Sequence, residues 1–322
     1  MSSTKKLLGR ITLLAVAAFG FLGAAHAAAP VVRDQAPGFY RLTVGDFEVT
    51  ALSDGTRPMP ADKVLTHTQP GEVERDLKRA FLKEPVETSF NAFLINTGSK
   101  LVLVDTGAGS MMGSALGHML TNLKAAGYRP EQVDEVYITH MHADHVGGLV
   151  AAGNRMVFPN AVVRASRHEA DFWLDPARLE AAPEDAKAGF KNAMASVHPY
   201  AEAGKFKTFD GAAELVPGIK AVPEPGHTPG HSGYLVESKG ERLLVWGDIV
   251  HVAAVQFPDP KVTISFDSDP AAAARSRDSA LAEVASRGDW VAGAHISFPG
   301  IGHVRADGDA YVWVPANYVR NP

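Results

Sequence analysis

The chain has 322 residues, a formal net charge of -5, 46% hydrophobic residues and no cysteine. An acidic balance argues against nucleic acid and other polyanionic partners, and the absence of thiols excludes disulfides and thiolate-bound metals. Any metal ligand must therefore be nitrogen or oxygen, which favours zinc, cobalt, manganese or iron.

In chain order, Lys5, Lys6 and Arg10 form a basic start, Ile11 to Ala24 an apolar stretch too short to span a bilayer comfortably, and Ala25-His26-Ala27 a small-residue cleavage pattern. Residues 1–27 thus read as a secretory signal, and a periplasmic or secreted location with no stable membrane association follows as an expectation. Its removal would take away those three cations and no acidic residue, moving the charge from -5 to -8. The remaining residues 28–322 are enough for one large core and do not demand two domains.

Tyr40 to Val44 and Phe47 to Leu52 alternate around Gly45-Asp46, which predicts a hairpin. A charged helical pattern covers residues 70–83. Phe90 to Ile95 and Lys100 to Val104 predict a second strand pair ending in Asp105-Thr106-Gly107. A helix over Met112 to Ala126 and a strand over Val133 to Ile138 follow. Strands are expected again at Ala161 to Ala165, Ile219 to Val222, Gly233 to Glu237, Leu243 to Trp246 and Trp290 to Ala294, with a helix over Pro270 to Ser286. Asp171 to Gly204 interrupts that rhythm with helical spacing and looks like an insertion over a pocket. Mixed strands with helices at the start, middle and end suggest two sheets packed face to face with helices outside.

The strongest local signal is Thr139-His140-Met141-His142-Ala143-Asp144-His145, directly after an apolar strand. Three imidazoles and a carboxylate in six positions at a strand exit point to a metal site, with His140 and His142 on one side and Asp144 and His145 free to face a second ion. Gly147 and Gly148 are expected to let a helix begin close against it. Three more candidates stand at strand exits: His227 in a Pro-Gly-His-Thr-Pro-Gly turn, Asp248 after Leu243 to Gly247, and His295 after Trp290 to Ala294. A carboxylate at a site like that of Asp248 is costly to bury without a cation beside it. Five histidines and two aspartates can hold two ions with open positions for water and substrate.

The H-x-H-x-D-H run and the three later ligands resemble the metallo-β-lactamase superfamily over nearly the whole chain beyond residue 27. The resemblance implies an αββα sandwich with the site at one edge, His140, His142 and His227 on one metal, Asp144, His145 and His295 on the other, and Asp248 bridging them. Zinc is the first expectation for both ions. Leu101 to Gly107, Phe158 to Arg164 and His295 to His303 look closest to the methyl parathion hydrolase group and its lactone-hydrolysing relatives. The resemblance also implies a homodimer and a small-molecule substrate. True β-lactamases of this fold lack an aspartate at the place of Asp248, which disfavours antibiotic hydrolysis.

Around the ligands, Asp105 is expected to orient a ligand histidine or the turn. His303 competes with His295 and otherwise takes a supporting place beside the site. His251 is expected to face the pocket and to act on the leaving group. His231 reads equally as a support or as a plain strand residue. The resemblance places Trp173 and Phe190 among pocket aromatics, with core packing an equal reading for both, and sets His251, Ile264, Phe266 and Met112 where the methyl parathion hydrolases differ. Larger residues there should narrow the pocket for flat substrates. The expected reaction is hydrolysis by a metal-bridging hydroxide, with aromatic lactones of the dihydrocoumarin type or aryl esters as substrates. Phosphotriesters and acyl-homoserine lactones are the alternatives, and a metal-binding protein without turnover is disfavoured because no ligand is missing.

Overall fold

The chain divides into Met1–Ala36 and Pro37–Pro322. A computed structural model describes residues 29, 31–33 and 35–320, so the secretory-signal expectation lies outside the described residues. Within the second unit, fourteen strands build two seven-stranded sheets. The first contains β1 (Phe39–Val44), β2 (Phe47–Met59), β3 (Val86–Asn96), β4 (Leu101–Val104), β5 (Glu135–Tyr137), β6 (Val162–Ser166) and β7 (Phe206–Phe209). The second contains β8 (Glu214–Val216), β9 (Ile219–Pro223), β10 (Ser232–Ser238), β11 (Glu241–Val245), β12 (Trp290–Ala292), β13 (Ile301–Asp307) and β14 (Ala310–Pro315). In each sheet the spatial order of the strands is their order along the chain.

Alternation explains the layers. In β4, Leu101 and Leu103 pack outward against a cluster that includes Leu123 and Val197 from covering helices. Val102 and Val104 point the other way, into a core shared with Ile219, Tyr234 and Val245 of the second sheet. In the second sheet Leu243 and Val245 face that core, while Leu244 faces Leu281 and Val284 of the helix Pro270–Arg287. Strands buried on both faces show continuous apolar runs, and the result is helix, sheet, sheet, helix. The αββα expectation holds.

The hairpin closes as expected, with Val44 opposite Phe47, but β2 runs on to Met59 across an irregularity between Ser53 and Gly55. The helix expected over Met112 to Ala126 shrinks to Met119–Ala125. Its apolar spacing is real, yet Gly113 and Gly117 take left-handed φ of 88° and 87°, which ends helical geometry there. The buried carboxylate of Asp54 gathers the freed N–H groups of Ala108, Gly117 and Met119 at 2.9, 3.0 and 3.0 Å. Residues 171–204 do contain helices, Pro176–Ala181 and Lys187–Glu202 among them. None of the helices described is long and apolar enough to cross a membrane.

β4, β5, β6 and β7 run parallel, as do β11 and β12. The segments leaving β4, β5, β11 and β12 therefore emerge at one edge, where ligands of such sheets gather. Asp105, the His140 run, Asp248 and His295 stand within the first few residues of those exits.

Candidate metal centre

After β5 the backbone turns sharply. His142 precedes the single helical turn Ala143–Val146, and Gly147 passes so near Ala108 that a Cβ would lie 2.2 Å from its carbonyl oxygen. This turn directs His140 Nε2 and His142 Nδ1 to within 2.9 Å of each other, and His227 Nε2 arrives 3.1 Å from the same His142 nitrogen. His227 sits on a turn that Gly226 makes possible: its φ is +135°, and an added Cβ would fall 2.0 Å from the backbone nitrogen of Ala273.

The second group forms alongside. His145 Nε2 lies 3.3 Å from Asp144 Oδ2, and His295 Nε2 lies 3.5 Å from the same oxygen. Asp248 spans both groups. Its Oδ1 faces His145 Nε2 at 3.2 Å, and its Oδ2 faces His227 at 3.2 Å, His295 at 3.3 Å and His140 at 3.5 Å. His140, His142, His227 and Asp248 thus form one ligand group and Asp144, His145 and His295 another. His251 forms a third grouping with Asp248 and His295, its Nε2 3.1 Å from Asp248 Oδ2.

Divalent cations fit these residues. His145 Nε2 and Asp248 Oδ1 are buried and have no hydrogen-bond partner, which is expensive for polar atoms unless a cation lies between them. The converging imidazole nitrogens are spaced close to the edge of a tetrahedron with metal–nitrogen bonds of about 2.0–2.1 Å. Electrostatics agree. Burial, aided by His145, holds His140 well below the usual imidazole range, and burial together with His227 lowers His142 to about 3. Both are therefore neutral and able to donate a lone pair. Burial also opposes charge on His227, but the carboxylates of Asp248 and Asp267 outweigh it and push that imidazole up to about 9. A field that would hold a proton there will hold a metal ion in its place.

Several of these side chains are oriented from behind. His145 Nδ1 is 2.8 Å from Asp105 Oδ2, and Asp105 also accepts from the N–H and hydroxyl of Thr139. Asp105 does this from a left-handed φ of 60°, a strained position for a residue with a side chain. His295 Nδ1 faces the Ser89 carbonyl oxygen at 3.1 Å. His231 Nδ1 faces the Glu224 carbonyl oxygen at 3.1 Å, and its Nε2 accepts the N–H of Asp248 at 3.0 Å, which is a supporting role.

Sequence reasoning missed two carboxylates. Asp267 holds His227 Nδ1 at 2.8 Å, and Glu169 accepts from Met141 N, Thr228 Oγ1 and Gly230 N at 2.8, 2.7 and 3.0 Å. Glu169 lies just past β6, a strand exit that could have drawn attention, whereas Asp267 stands in an irregular loop with no local signature. We expect Asp267→Asn to weaken metal affinity about 10–100-fold while the fold persists, as loss of a carboxylate behind a ligand imidazole does. Metal content after dialysis against graded chelator checks this, and unchanged retention would refute it.

A cavity of about 840 Å³ opens over both groups. Met112, Trp173, His251 and Phe266 line it, together with Phe90 and Met59. Phe190 and Ile264 do not, and the expectation for them is corrected. Phe190 stands behind Trp173 with ring centroids 4.8 Å apart, inside the helical core. Ile264 is wholly buried among Leu65, Val252 and Val262. His303 is also displaced from its expected place: β13 carries it to Asp289, whose carbonyl oxygen its Nδ1 faces at 3.1 Å, and its ring lies tilted against Trp290 with centroids 3.8 Å apart.

A family model described as the metallo-beta-lactamase superfamily matches residues 88–295. Among solved structures, hydrolase AbOPH of the beta lactamase superfamily aligns with a TM-score of 0.85 at 39% identity, over 89% of this chain and 100% of that one. AidC, a dizinc quorum-quenching lactonase in complex with a product, N-hexanoyl-L-homoserine, aligns with a TM-score of 0.80 at 28% identity, over 88% and 99%. The N-acyl homoserine lactonase of Bacillus cereus is 25% identical over 151 residues, 47% of this chain and 52% of that protein. The chain thus spans about half the length of that curated relative.

Proposed function

This chain belongs to the metallo-beta-lactamase superfamily, and we propose that it is a metal-dependent hydrolase that opens lactone rings, with N-acyl-homoserine lactones as its first substrate class. The observation that carries the reading is the cavity of about 840 Å³ with ligand side chains at its floor and Met59, Phe90, Met112, Trp173 and Phe266 on its walls. That volume lies within the range of sites for molecules larger than a bicyclic lactone, and the apolar walls suit an acyl chain. The likeness to AidC supports the same reading.

In this reading His140, His142 and His227 hold one divalent cation, Asp144, His145 and His295 the other, and Asp248 both, with zinc as the first candidate. Bound there, two such ions would supply Lewis acidity toward the carbonyl oxygen and acidify a water into a nucleophile. The chain's own part is to hold the ligands, exclude water and manage a proton. Trp173 packs edge-on against His142 at 5.4 Å and Phe90 against His295 at 4.8 Å, so the cavity walls also fix the ligand rings. An alkyl leaving oxygen needs a proton where a phenolate does not, and His251 is the cavity imidazole placed to pass one.

A second reading, hydrolysis of aromatic lactones or aryl esters, draws on the aromatic walls at Phe90, Trp173 and Phe266. Initial rates on N-hexanoyl-homoserine lactone, dihydrocoumarin and methyl parathion, with and without chelation, separate the possibilities. The acyl lactone should dominate, and chelation should abolish every rate. Dominance of dihydrocoumarin would favour the second reading, dominance of methyl parathion would overturn both, and full activity without metal would overturn the mechanism. In the same panel His251→Leu should cut the acyl-lactone rate about 10²-fold and spare aryl substrates. An equal loss on all three would remove the proton-passing role.

A further inference from the structure

A separate cavity of about 240 Å³ lies on the far side of the second sheet, between its outer face and the helix Pro270–Arg287. Val222, Leu235 and Leu244 form an apolar wall, and Ser279 stands exposed at the rim. Glu224 also lines it. That residue is only 5% exposed, and its Oε2 is buried without a hydrogen-bond partner. Two guanidinium groups line it as well: Arg242, whose Nη2 lies 3.0 Å from Glu283 Oε1 and whose Nε lies 3.3 Å from Asp289 Oδ2, and Arg275, which is exposed to solvent. Among the described residues no ion pair reaches Glu224, and burial with the neighbouring Glu283 pushes its carboxyl well above the usual range. A buried carboxyl in such surroundings is costly unless a donor or cation meets it.

We propose that this cavity is a second binding site, distinct from the metal centre, which takes a small organic cation with an ammonium or guanidinium head and a short apolar body. The head would meet Glu224, and the body would lie along Val222, Leu235 and Leu244. A bare metal ion suits the site poorly, because calcium or magnesium needs about six oxygen ligands and one unpartnered carboxyl supplies at most two. The volume falls below that of ordinary drug-sized pockets, which limits the occupant to a few heavy atoms. The site also adjoins the metal centre through one residue. Glu224 N–H donates to the His231 carbonyl oxygen at 2.9 Å, and the His231 ring then accepts the N–H of Asp248.

The test is calorimetric titration of the full, metal-loaded chain with n-butylammonium, using n-butanol as the neutral control. One saturable site for the ammonium is expected, with no matching heat from the alcohol. Glu224→Gln should weaken binding at least tenfold. Ser279→Phe, which crowds the rim and leaves Glu224 in place, should abolish it while lactone hydrolysis continues, and it decides the matter if Glu224→Gln does not fold. Equal binding of alcohol and ammonium, or undiminished binding in the folded variants, would overturn the proposal. Because the readout is binding heat, failure of the hydrolase reading would leave this result interpretable.

Discussion

Asp248→Asn should lower kcat by about 10³-fold and leave the fold standing. The carboxylate faces His145 with one oxygen and His140, His227, His251 and His295 with the other, all between 3.1 and 3.5 Å. An amide keeps the shape but exchanges one oxygen for an NH2 donor, so only one of the two groups retains a ligand oxygen. Transition-state charge stabilisation by metal ions is worth several kcal/mol, and at about 1.36 kcal/mol per tenfold in rate this gives the stated loss. Burial disfavours charge on Asp248, but the surrounding imidazoles, His295 first, hold it well below the ordinary carboxylate range, so asparagine removes a charge that is present at neutral pH. Steady-state kinetics, elemental analysis and a thermal melt test the prediction together. Two bound metals and near-native kcat in the variant would refute the bridging role.

The second large effect is expected at Glu169, which never touches a substrate. Its buried carboxylate ties the N–H of Met141, between two ligand histidines, to the hydroxyl of Thr228 and the N–H of Gly230, just beyond a third. Glutamine would turn an NH2 group toward at least one of these donors. Hydrogen bonds to a charged group contribute about 1.5–3 kcal/mol, and a buried donor left unpaired costs about 1–3 more. Glu169→Gln should therefore destabilise the chain by roughly 3 kcal/mol, a fall in Tm of about 5 °C for a domain of this size. Metal retention should fall with it, since both ligand turns lose their common anchor. A melt within about 1 °C of the parent protein would contradict that account.

The candidate ligand set was legible because its members follow apolar strands, and strand exits at one sheet edge bring distant polar groups together. Its supports were not legible, because their partnerships join residues far apart in sequence: Asp267 lies 40 residues from His227, and Glu169 lies 28 from Met141 and 59 from Thr228. Wall and core look alike in one dimension. Trp173 and Phe190 share the same helical insertion, yet only Trp173 reaches the cavity, with Phe190 packed behind it. Ile264 and Phe266 are two residues apart, one fully buried and the other 47% exposed. The lost half of the helix before Met119 shows the converse: apolar spacing was present, but two glycines and the carboxylate of Asp54 offered its backbone another conformation.

The strand order has a consequence for assembly. Because each sheet follows the chain without exchange, residues 39–209 complete one sheet and residues 214–315 complete the other. His140, His142, Asp144 and His145 come from the first half, and His227, Asp248 and His295 from the second. Neither half owns a finished ligand group, so the metal centre is a seam. An ion bound by a full set would require the halves to have docked and would then oppose their separation, so bound metal would act as a latch on the finished fold.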